Sequence, residues 1–425
     1  MNNDNTLPAG WTNAKIGENC QNPEYGFTES AVAEKVGPKF LRITDITERG
    51  VNWDTVPYCR CPESIFQKYE LQENDLLFAR IGATTGKSYI VKNPPQAVFA
   101  SYLIRLRPLE GVNPDYLYYF FNSNEYWNQI NANKSNNLKG GVNSSILSNI
   151  HFPLPSKDEQ QKIAAILFKI QQAIEIQESI IEKTRELKKS TLHHVFTHGL
   201  HGEKLKETEI GPMPDSWNII KIEDCCGVRS STISFNELNQ GRSENNDVRC
   251  HAIKVSDMNL PGNEKYVFAA NIETELLSKH VSEKAIPANS VIFPKRGAAI
   301  ATNKKRITTI WSVLDPNLIA VIPRTRVTSE FLYYWFLTFD LASIQDLGPT
   351  PQLNKKDVDP ISIPCPSDKE QLEIVKILCA IDQKLILHTA KKSVLQDLFK
   401  TMLNKLMTGE IRVKDLDINV SEVSA

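Results

Sequence analysis

Hydrophobic side chains recur every three or four residues over two long stretches of the chain, 155–197 and 366–408. This is a period of 3.5 residues, which is typical of helices that associate along one seam. The first seam consists of Ile163, Ile166, Ile170, Ala173, Gln177, Ile180, Thr184, Leu187, Thr191 and His194. The second consists of Ile374, Ile377, Ile381, Lys384, His388, Leu395, Leu398, Met402 and Leu406. At about 1.5 Å of rise per residue, the pattern predicts two helices roughly 60 Å long.

Both stretches begin with the same polar pattern, a serine followed three residues later by a glutamate. The pairs are Ser156 with Glu159 and Ser367 with Glu370. This is a capping box, in which the two side chains accept the free backbone N–H groups at a helix start. We therefore predict helix starts at 156 and 367. The apolar members of the seams are expected to pair the helices or to dock partners: Ile163, Ile166, Ile170, Ile180, Leu187, Ile374, Ile377, Ile381, Leu395 and Leu398.

The rest of the chain also contains an internal repeat, in which similar segments occur twice in the same order. Residues 7–11 match 213–217, residues 71–78 match 286–293, and residues 115–121 match 330–336. Solenoid repeats have periods of roughly 20–50 residues, so a repeat of half the chain is a duplicated domain followed by a helix. The predicted divisions are 1–155 (first domain), 156–200 (central helix), 201–366 (second domain) and 367–425 (second helix and tail).

Short strand-like runs such as 75–80 and 290–294 alternate with aromatic, helix-like segments at 116–121 and 331–336. We therefore predict an α+β fold with two similar mixed domains. Because duplicated halves tend to pack about a pseudo-two-fold axis, we expect the long helices to form an antiparallel coiled coil that separates the domains. A chain of 425 residues with 41% hydrophobic residues is ample for such an arrangement.

Composition excludes several classes of function. The net charge is −1, from 49 basic and 50 acidic residues, so any nucleic-acid site must be a local patch. The eight cysteines lack the paired spacing of a zinc site, and reduced thiols in the cytoplasm are the better interpretation. Residues 1–5 do not resemble a signal peptide, and the longest apolar run, 331–339, is too short to span a membrane.

Three motifs resemble chemical sites but favour structural roles. Residues 82–88 fail the phosphate-loop pattern by one position, so a turn that presents Lys87 is the better interpretation. Residues 93–96 read Asn-Pro-Pro-Gln and lack the aromatic that amino-methyltransferases stack on a flipped base. His194 and His198 are four residues apart without an evident third metal ligand, and histidines suit a helix C-terminus. We predict neither catalytic nor metal-binding residues in this chain.

Basic and polar loops without acidic residues are more informative. They occupy corresponding places in the two halves, and both halves have one such loop just before the long helix. Side chains of these types contact phosphates and base edges, although a solvated loop surface remains the alternative for each patch. The candidate DNA-binding residues are Arg80, Lys87, Lys134, Asn136, Lys139, Lys295, Arg296, Asn303, Lys304, Lys305, Arg306, Gln352 and Lys355.

Taken in order, these motifs resemble the specificity subunit of type I restriction–modification systems. The resemblance covers nearly the whole chain. It rests on the Leu-Pro-x-x-Trp start at 7–11, the Phe-x-Arg/Lys-x-Gly segments at 78 and 293, and the proline-rich entries at 152–155 and 363–366. The Glu-Gln pairs that follow and the ending Thr-Gly-Glu-Ile-Arg-Val at 408–413 add to it. The first half departs slightly, with a histidine inserted at 198.

The resemblance implies two target-recognition domains, each of which reads one half of a split double-stranded DNA sequence, and helices that set the spacing. It also implies two methyltransferase subunits docked on the helices, and translocating endonuclease subunits for restriction. S-adenosylmethionine, ATP and magnesium would then belong to partner subunits, and this chain would hold no cofactor. The alternative is a coiled-coil adaptor that binds proteins; steep salt dependence of binding would favour DNA. A stand-alone nuclease has no supporting motif.

Overall fold

The computed structural model describes residues 7–47, 50–135, 141–230, 247–277, 281, 283–346 and 351–420. The chain divides into two compact units, each with helices and strands, and the predicted α+β class is confirmed. Unit 1 comprises Met1–Glu178 together with Ala390–Ala425, and unit 2 comprises Ser179–Thr389. Unit 1 is therefore built from two separate pieces of the chain, whereas unit 2 is continuous.

Two long helices dominate the helical content. The first runs from Lys157 to His198 and the second from Asp368 to Met407. Their 42 and 40 residues correspond to about 60 Å each. Each helix contributes one part to each unit, because the unit boundaries fall at 178/179 and 389/390. The long helices are thus parts of the two units and not separate bodies.

The starts of the long helices differ from a capping box in one respect. The hydroxyls of Ser156 and Ser367 accept the backbone N–H of Glu159 and Glu370, both at 3.3 Å, as predicted. The glutamate side chains do not accept the backbone N–H groups of the two serines, as a capping box would require. Each accepts an indole N–H instead: Glu159 from Trp11 at 3.0 Å, and Glu370 from Trp217 at 2.9 Å. A partner about 150 residues away thus replaces the local one.

In unit 1 the central sheet has four antiparallel strands in the order Glu24–Tyr25, Leu103–Leu106, Leu76–Ala79 and Ser88–Ile90. Three two-stranded sheets accompany it: Thr12–Lys15 with His151–Leu154 (antiparallel), Lys39–Leu41 with Ala97–Phe99 (parallel), and Ile46–Thr47 with Gly50–Val51 (antiparallel). The shorter helices are Ile16–Asn19, Glu63–Tyr69, Pro114–Phe120, Asn124–Ser135 and Ser144–Ser148, with a 3₁₀ turn at Ile43–Asp45.

In unit 2 a five-stranded sheet has the order Cys226–Ser230, Leu318–Pro323, Val291–Pro294, Arg306–Thr308 and Tyr266–Val267. A three-stranded sheet has the order Ile272–Leu277, Asp247–Ile253 and Ser312–Leu314. Two antiparallel pairs are Asn218–Lys221 with Ser362–Cys365 and Leu205–Lys206 with Met213–Pro214. The shorter helices are Ile222–Cys225, Ala298–Ala301, Ser329–Thr338 and Lys355–Val358, with 3₁₀ turns at Val255–Asn259 and Leu341–Ile344.

Each unit has a main core that includes one end of each long helix. In unit 1, Ile163 and Leu167 from the start of the first helix share a core with Leu403 and Leu406 from the end of the second. In unit 2, Leu192 and Val195 from the end of the first helix share a core with Ile374 and Leu378 from the start of the second. Within each unit the two helical parts therefore run in opposite directions.

The buried positions on the long helices follow the predicted period with a local shift. Ile163 and Ile374 are fully buried, and Ile166, Ile170, Ile180, Ile381 and Leu395 are half-buried. Leu187, Ile377 and Leu398 are 49%, 39% and 43% exposed, and their predicted role in helix pairing or partner docking stays a prediction. Positions one residue further on, such as Ile181 and Leu378, are buried instead. Apolar residues occur in adjacent pairs here, and the pattern alone did not identify the inward member.

No helix in the described ranges combines the length and the hydrophobicity needed to cross a membrane.

Candidate functional site

In unit 1 the end of a central strand meets the segment that precedes the first long helix. The strand Leu76–Ala79 ends at Arg80, whose carbonyl accepts the backbone N–H of Val142 at 3.0 Å. The Arg80 N–H in turn donates to the carbonyl of Tyr102 at 3.0 Å. The end of the central strand is therefore flanked by the turn at 100–103 and by the segment that precedes the first long helix.

The side chain of Arg80 is held by an aromatic neighbour. Its guanidinium carbon lies 4.8 Å from the ring centroid of Tyr25. The Tyr25 hydroxyl accepts the Ser144 backbone N–H at 3.2 Å and lies 3.5 Å from the Ser144 hydroxyl. Partial burial raises the pKa of Tyr25, but the hydrogen bonds to Ser144 and the charge of Arg80 outweigh it, and the pKa is lowered overall. Arg80 is thus positioned and half-exposed.

Lys87 is exposed at the end of a glycine-rich turn. The turn has positive φ at Gly82 and Gly86, and the Thr85 hydroxyl donates to the Gly82 carbonyl at 2.7 Å. A Cβ on Gly86 would lie 3.1 Å from Ile130 and 3.3 Å from Trp127, so the helix Asn124–Ser135 packs closely against it. Tyr126 from the same helix donates to the Gly86 carbonyl at 2.7 Å.

Three further predicted residues, Lys134, Asn136 and Lys139, lie at or beyond the end of this helix in the sequence. Lys134 lies in the last turn of the helix Asn124–Ser135. Asn136 and Lys139 lie outside the described residues. Their predicted DNA contacts stay predictions.

The corresponding segment of unit 2 has the same backbone pairing. The Leu353 N–H donates to the Lys295 carbonyl at 2.8 Å, and the Lys295 N–H donates to the Asn317 carbonyl at 2.8 Å. Arg296 forms a β-bridge with Gln352. The side chains differ from those of unit 1. Lys295 is 9% exposed, and burial together with the neighbouring Arg296 lowers its pKa.

Lys305 lies in the interior of unit 2. It is fully buried, and its ammonium nitrogen donates to Asn303 Oδ1 at 2.6 Å and to the Phe339 carbonyl at 2.8 Å. Burial lowers its pKa to about 7, against the opposing effect of Asp340. The prediction that Lys305 contacts DNA does not hold in this conformation, because its charge-bearing group faces the protein interior.

Asn303 and Arg306 also make internal contacts. Asn303 has a positive φ of 51° and binds the Phe339 carbonyl through its amide nitrogen at 3.1 Å. Arg306 donates twice to the Met258 carbonyl, at 3.1 and 2.7 Å, and burial lowers its pKa. Both side chains make contacts within unit 2, and their predicted DNA contacts stay predictions.

The other basic residues of unit 2 are more accessible. Arg296 and Lys355 are exposed, and Lys304 is half-exposed with its ammonium group on Asn259 Oδ1. Gln352 is half-buried and donates to Asn354 at 2.8 Å. The accessible cations of this region are therefore fewer than the sequence indicated.

The remaining motifs are consistent with structural roles. The rings of His194 and His198 stack, with centroids 4.8 Å apart. Asn93 adopts a positive φ of 46°, and its N–H donates to Glu73 at 2.6 Å. Across the described ranges, no group of three or more His, Cys, Asp or Glu side chains is arranged to hold a metal ion.

Two tyrosines near Arg80 were not among the residues that the sequence singled out. Tyr25 and Tyr102 flank Arg80 and are 37% and 54% exposed. An isolated tyrosine gives no signal in sequence, and only the strand register brings residues 25, 80 and 102 together. We call the surface formed by Tyr25, Arg80, Ile81, Lys87 and Tyr102 the Arg80 surface.

Comparison with known proteins gives a consistent result. The family model described as type I restriction modification DNA specificity domain matches residues 51–185 and 214–397. Because these ranges cover most of the chain, the protein belongs to the family of type I restriction–modification specificity subunits.

The type I restriction enzyme MjaVIII specificity subunit of Methanocaldococcus jannaschii is 23% identical over 360 residues, which are 82% of this chain and 81% of that protein. The S subunit of a type I restriction–modification system from M. genitalium has a TM-score of 0.55 at 17% identity, covering 96% of this chain and 98% of its own. A chain from a structure on complex assembly and conformational transition of the type I R-M system has a TM-score of 0.56, also at 17% identity, with 96% and 100% covered. These two structures share the fold.

Proposed function

We propose that this chain gives a type I restriction–modification complex its DNA sequence specificity, with each unit reading one half of a bipartite, asymmetric double-stranded target. The observation that carries the proposal is the duplicated junction between domain and helix. In unit 1, Gln160 accepts the Asn113 N–H at 2.7 Å; in unit 2, Gln371 accepts the Thr328 N–H at 3.1 Å. Two readers attached in the same way suit a target with two parts, because a rigid connection lowers the entropy lost on binding both.

An exchange of residues 1–155 for the corresponding part of a relative tests modular reading. We expect one half of the selected target to change and the other half to stay the same. Selection from a random DNA pool by the full complex would show it. A hybrid that altered both halves together would contradict the proposal.

We further propose that the long helices form a coiled coil that sets the spacer between the half-sites. Inserting four residues after Glu178 and four after Thr389 lengthens both helices where the chain passes between units. Each insertion adds about 6 Å, and a heptad seam absorbs four residues as a stutter. At about 3.4 Å per base pair, we expect a spacer longer by one or two base pairs. Recovery of the original spacer would show that something else sets it.

The chemistry is assigned to partners. Two methyltransferase subunits would dock on the helices, where Leu187, Ile377 and Leu398 offer exposed apolar side chains. Translocating endonuclease subunits would join for restriction, and S-adenosylmethionine, ATP and magnesium would bind to these partners. The purified chain alone should transfer no methyl group to DNA. Transfer at stoichiometric amounts of the chain would contradict its non-catalytic role.

A further inference from the structure

Tyr102 is the most exposed aromatic residue of the Arg80 surface, at 54%. It lies in a tight turn between the strands Ala97–Phe99 and Leu103–Leu106, closed by a hydrogen bond from the Leu103 N–H to the Ala100 carbonyl at 2.9 Å. The backbone is fixed further by Ser101, whose N–H donates to the Phe27 carbonyl at 3.0 Å. A large apolar ring is thus presented to solvent on a rigid support.

The fold does not require this ring. Unit 2 builds the same turn with Asn317 in the place of Tyr102. There the Leu318 N–H donates to the Asp315 carbonyl at 2.9 Å, and the Asn317 carbonyl accepts from Lys295 as the Tyr102 carbonyl accepts from Arg80. Because an asparagine serves equally well in the turn, the exposed ring in unit 1 is available for binding.

The surroundings of Tyr102 favour a nucleic acid as the occupant. Residues 80–88, 100–104 and 141–148, which meet at this surface, contain Arg80 and Lys87 and no acidic residue. Glu24, beside Tyr25, is neutralised by an ion pair with Arg105. Ile81 adds a second exposed apolar side chain at 41%. Cations that hold phosphates beside an aromatic ring that stacks on a base are the usual composition of a nucleic-acid contact.

We infer that Tyr102 stacks on a base within the half-site that unit 1 binds, while Arg80 and Lys87 contact the flanking phosphates. The inference rests on the proposed function and adds a local distortion of the DNA at one base step. An aromatic or apolar wedge loses stacking between neighbouring bases, and this loss is offset by closer contact with the protein. Unit 2, with Asn317 at this place, would bind its half-site without such a distortion.

The test uses the full chain and its selected DNA, with 2-aminopurine placed in turn at each adenine of both half-sites. We expect wild-type protein to increase fluorescence at one step of the half-site that unit 1 binds. Tyr102→Phe should keep the signal, and Tyr102→Ala should lose it and weaken binding about five- to hundredfold, as for other base–aromatic contacts. Asn317→Ala, the matched variant in unit 2, should change affinity by less than about twofold, as for surface substitutions.

The salt dependence of DNA binding distinguishes the stacking contribution of Tyr102 from the phosphate contacts of Arg80 and Lys87. Tyr102→Ala should leave the slope of log K against log salt unchanged, whereas Lys87→Ala should make it shallower by about 0.9, the value for one phosphate contact. If wild-type protein binds its target but Tyr102→Ala keeps both affinity and fluorescence, stacking is overturned and the proposed function stands. If Tyr102→Ala loses only capture of a methyltransferase subunit, the surface binds protein and the inference is again wrong. If wild-type protein selects no DNA sequence, the proposed function itself fails.

Discussion

Units 1 and 2 attach their domains to the long helices by the same contacts, yet present different surfaces. In both, a tryptophan donates to the buried glutamate at a helix start, and a glutamine fixes the start of an aromatic helix. The basic segments at corresponding places differ. Arg80 is half-exposed and its guanidinium lies against the ring of Tyr25, whereas Lys295 is buried. The comparison indicates that the junction is the shared framework and that the surface at the strand end is specific to each unit.

The junctions also differ in one charge. Glu159 receives two guanidinium hydrogen bonds from Arg412, at 2.8 and 2.9 Å, in addition to Trp11. Glu370 receives the Leu200 backbone N–H at 3.3 Å in addition to Trp217, and it has no ion-pair partner among the residues that the structure describes. Burial raises the pKa of Glu159, but the bonds from Arg412 and Trp11 lower it overall.

Arg412→Leu should have the largest effect. It leaves the carboxylate of Glu159, whose side chain is 2% exposed, without its cation. Removing one partner of a buried pair costs about 3 kcal/mol or more. Hydrogen exchange followed by mass spectrometry should show faster exchange in the core of unit 1 and little change in unit 2. Lys405→Ala, which removes an exposed ion pair with Glu410, is the control and should cost less than about 1 kcal/mol. Equal loosening of both units would contradict the assignment.

Trp217→Phe should destabilise unit 2 more than Trp11→Phe destabilises unit 1. Each change removes one indole hydrogen bond to a buried carboxylate, worth roughly 1.5–3 kcal/mol. After the change Glu159 keeps Arg412, whereas the side chain of Glu370 keeps only the Leu200 N–H within the part of the chain that the structure describes. We expect a loss of about 2 kcal/mol in unit 2 and about 1 kcal/mol in unit 1. Denaturant unfolding that resolves the two units would measure both. A larger loss in unit 1 would show that Arg412 does not compensate.

The buried amine of Lys305 should make the stability of unit 2 depend on pH. Its pKa is about 7 in the folded protein and lies near 10.4 in an unfolded chain. Between these values the unfolded chain binds one more proton, so stability should rise with pH, by up to about 1.4 kcal/mol per pH unit. Below pH 7 the buried amine is protonated in the folded protein as well, so this gain in stability is lost.

Thermal unfolding of wild-type protein and Lys305→Met from pH 6 to 9 would measure this slope. The variant should lose the rise in stability attributed to Lys305. Lys304→Met, at the half-exposed neighbour, is the control and should keep the wild-type slope. Identical profiles for wild type and Lys305→Met would refute the prediction.

The sequence predicted the parts that depend on local pattern. The helices Lys157–His198 and Asp368–Met407 follow from the serine caps and from the 3.5-residue period. The inward face was displaced by one residue in places, because Ile180–Ile181 and Ile377–Leu378 each offer two apolar neighbours and only packing selects one. The contact between Arg80 and Val142 was not predicted, because order along the chain does not determine which segments meet.

Long-range contacts were beyond the sequence. Nothing local distinguishes Lys305, which is buried against Phe339, from the half-exposed Lys304 beside it. The glutamates of the capping boxes bind Trp11 and Trp217, residues about 150 positions away. The exposure of Tyr102 depends on a turn that lies between two different sheets. Such features depend on tertiary packing, which overrides local patterns.

The composition of unit 1 has a consequence for the order of events during synthesis. Its core needs Leu403 and Leu406, and its junction needs Arg412, yet these residues leave the ribosome after all of unit 2. At about 5–20 residues per second, the ribosome completes residues 7–178 roughly ten seconds or more before it synthesises Leu403, Leu406 and Arg412. Gly409 then seats against Pro8, where a Cβ would come within 2.3 Å of the ring. The unit whose residues emerge first is therefore the unit that is completed last.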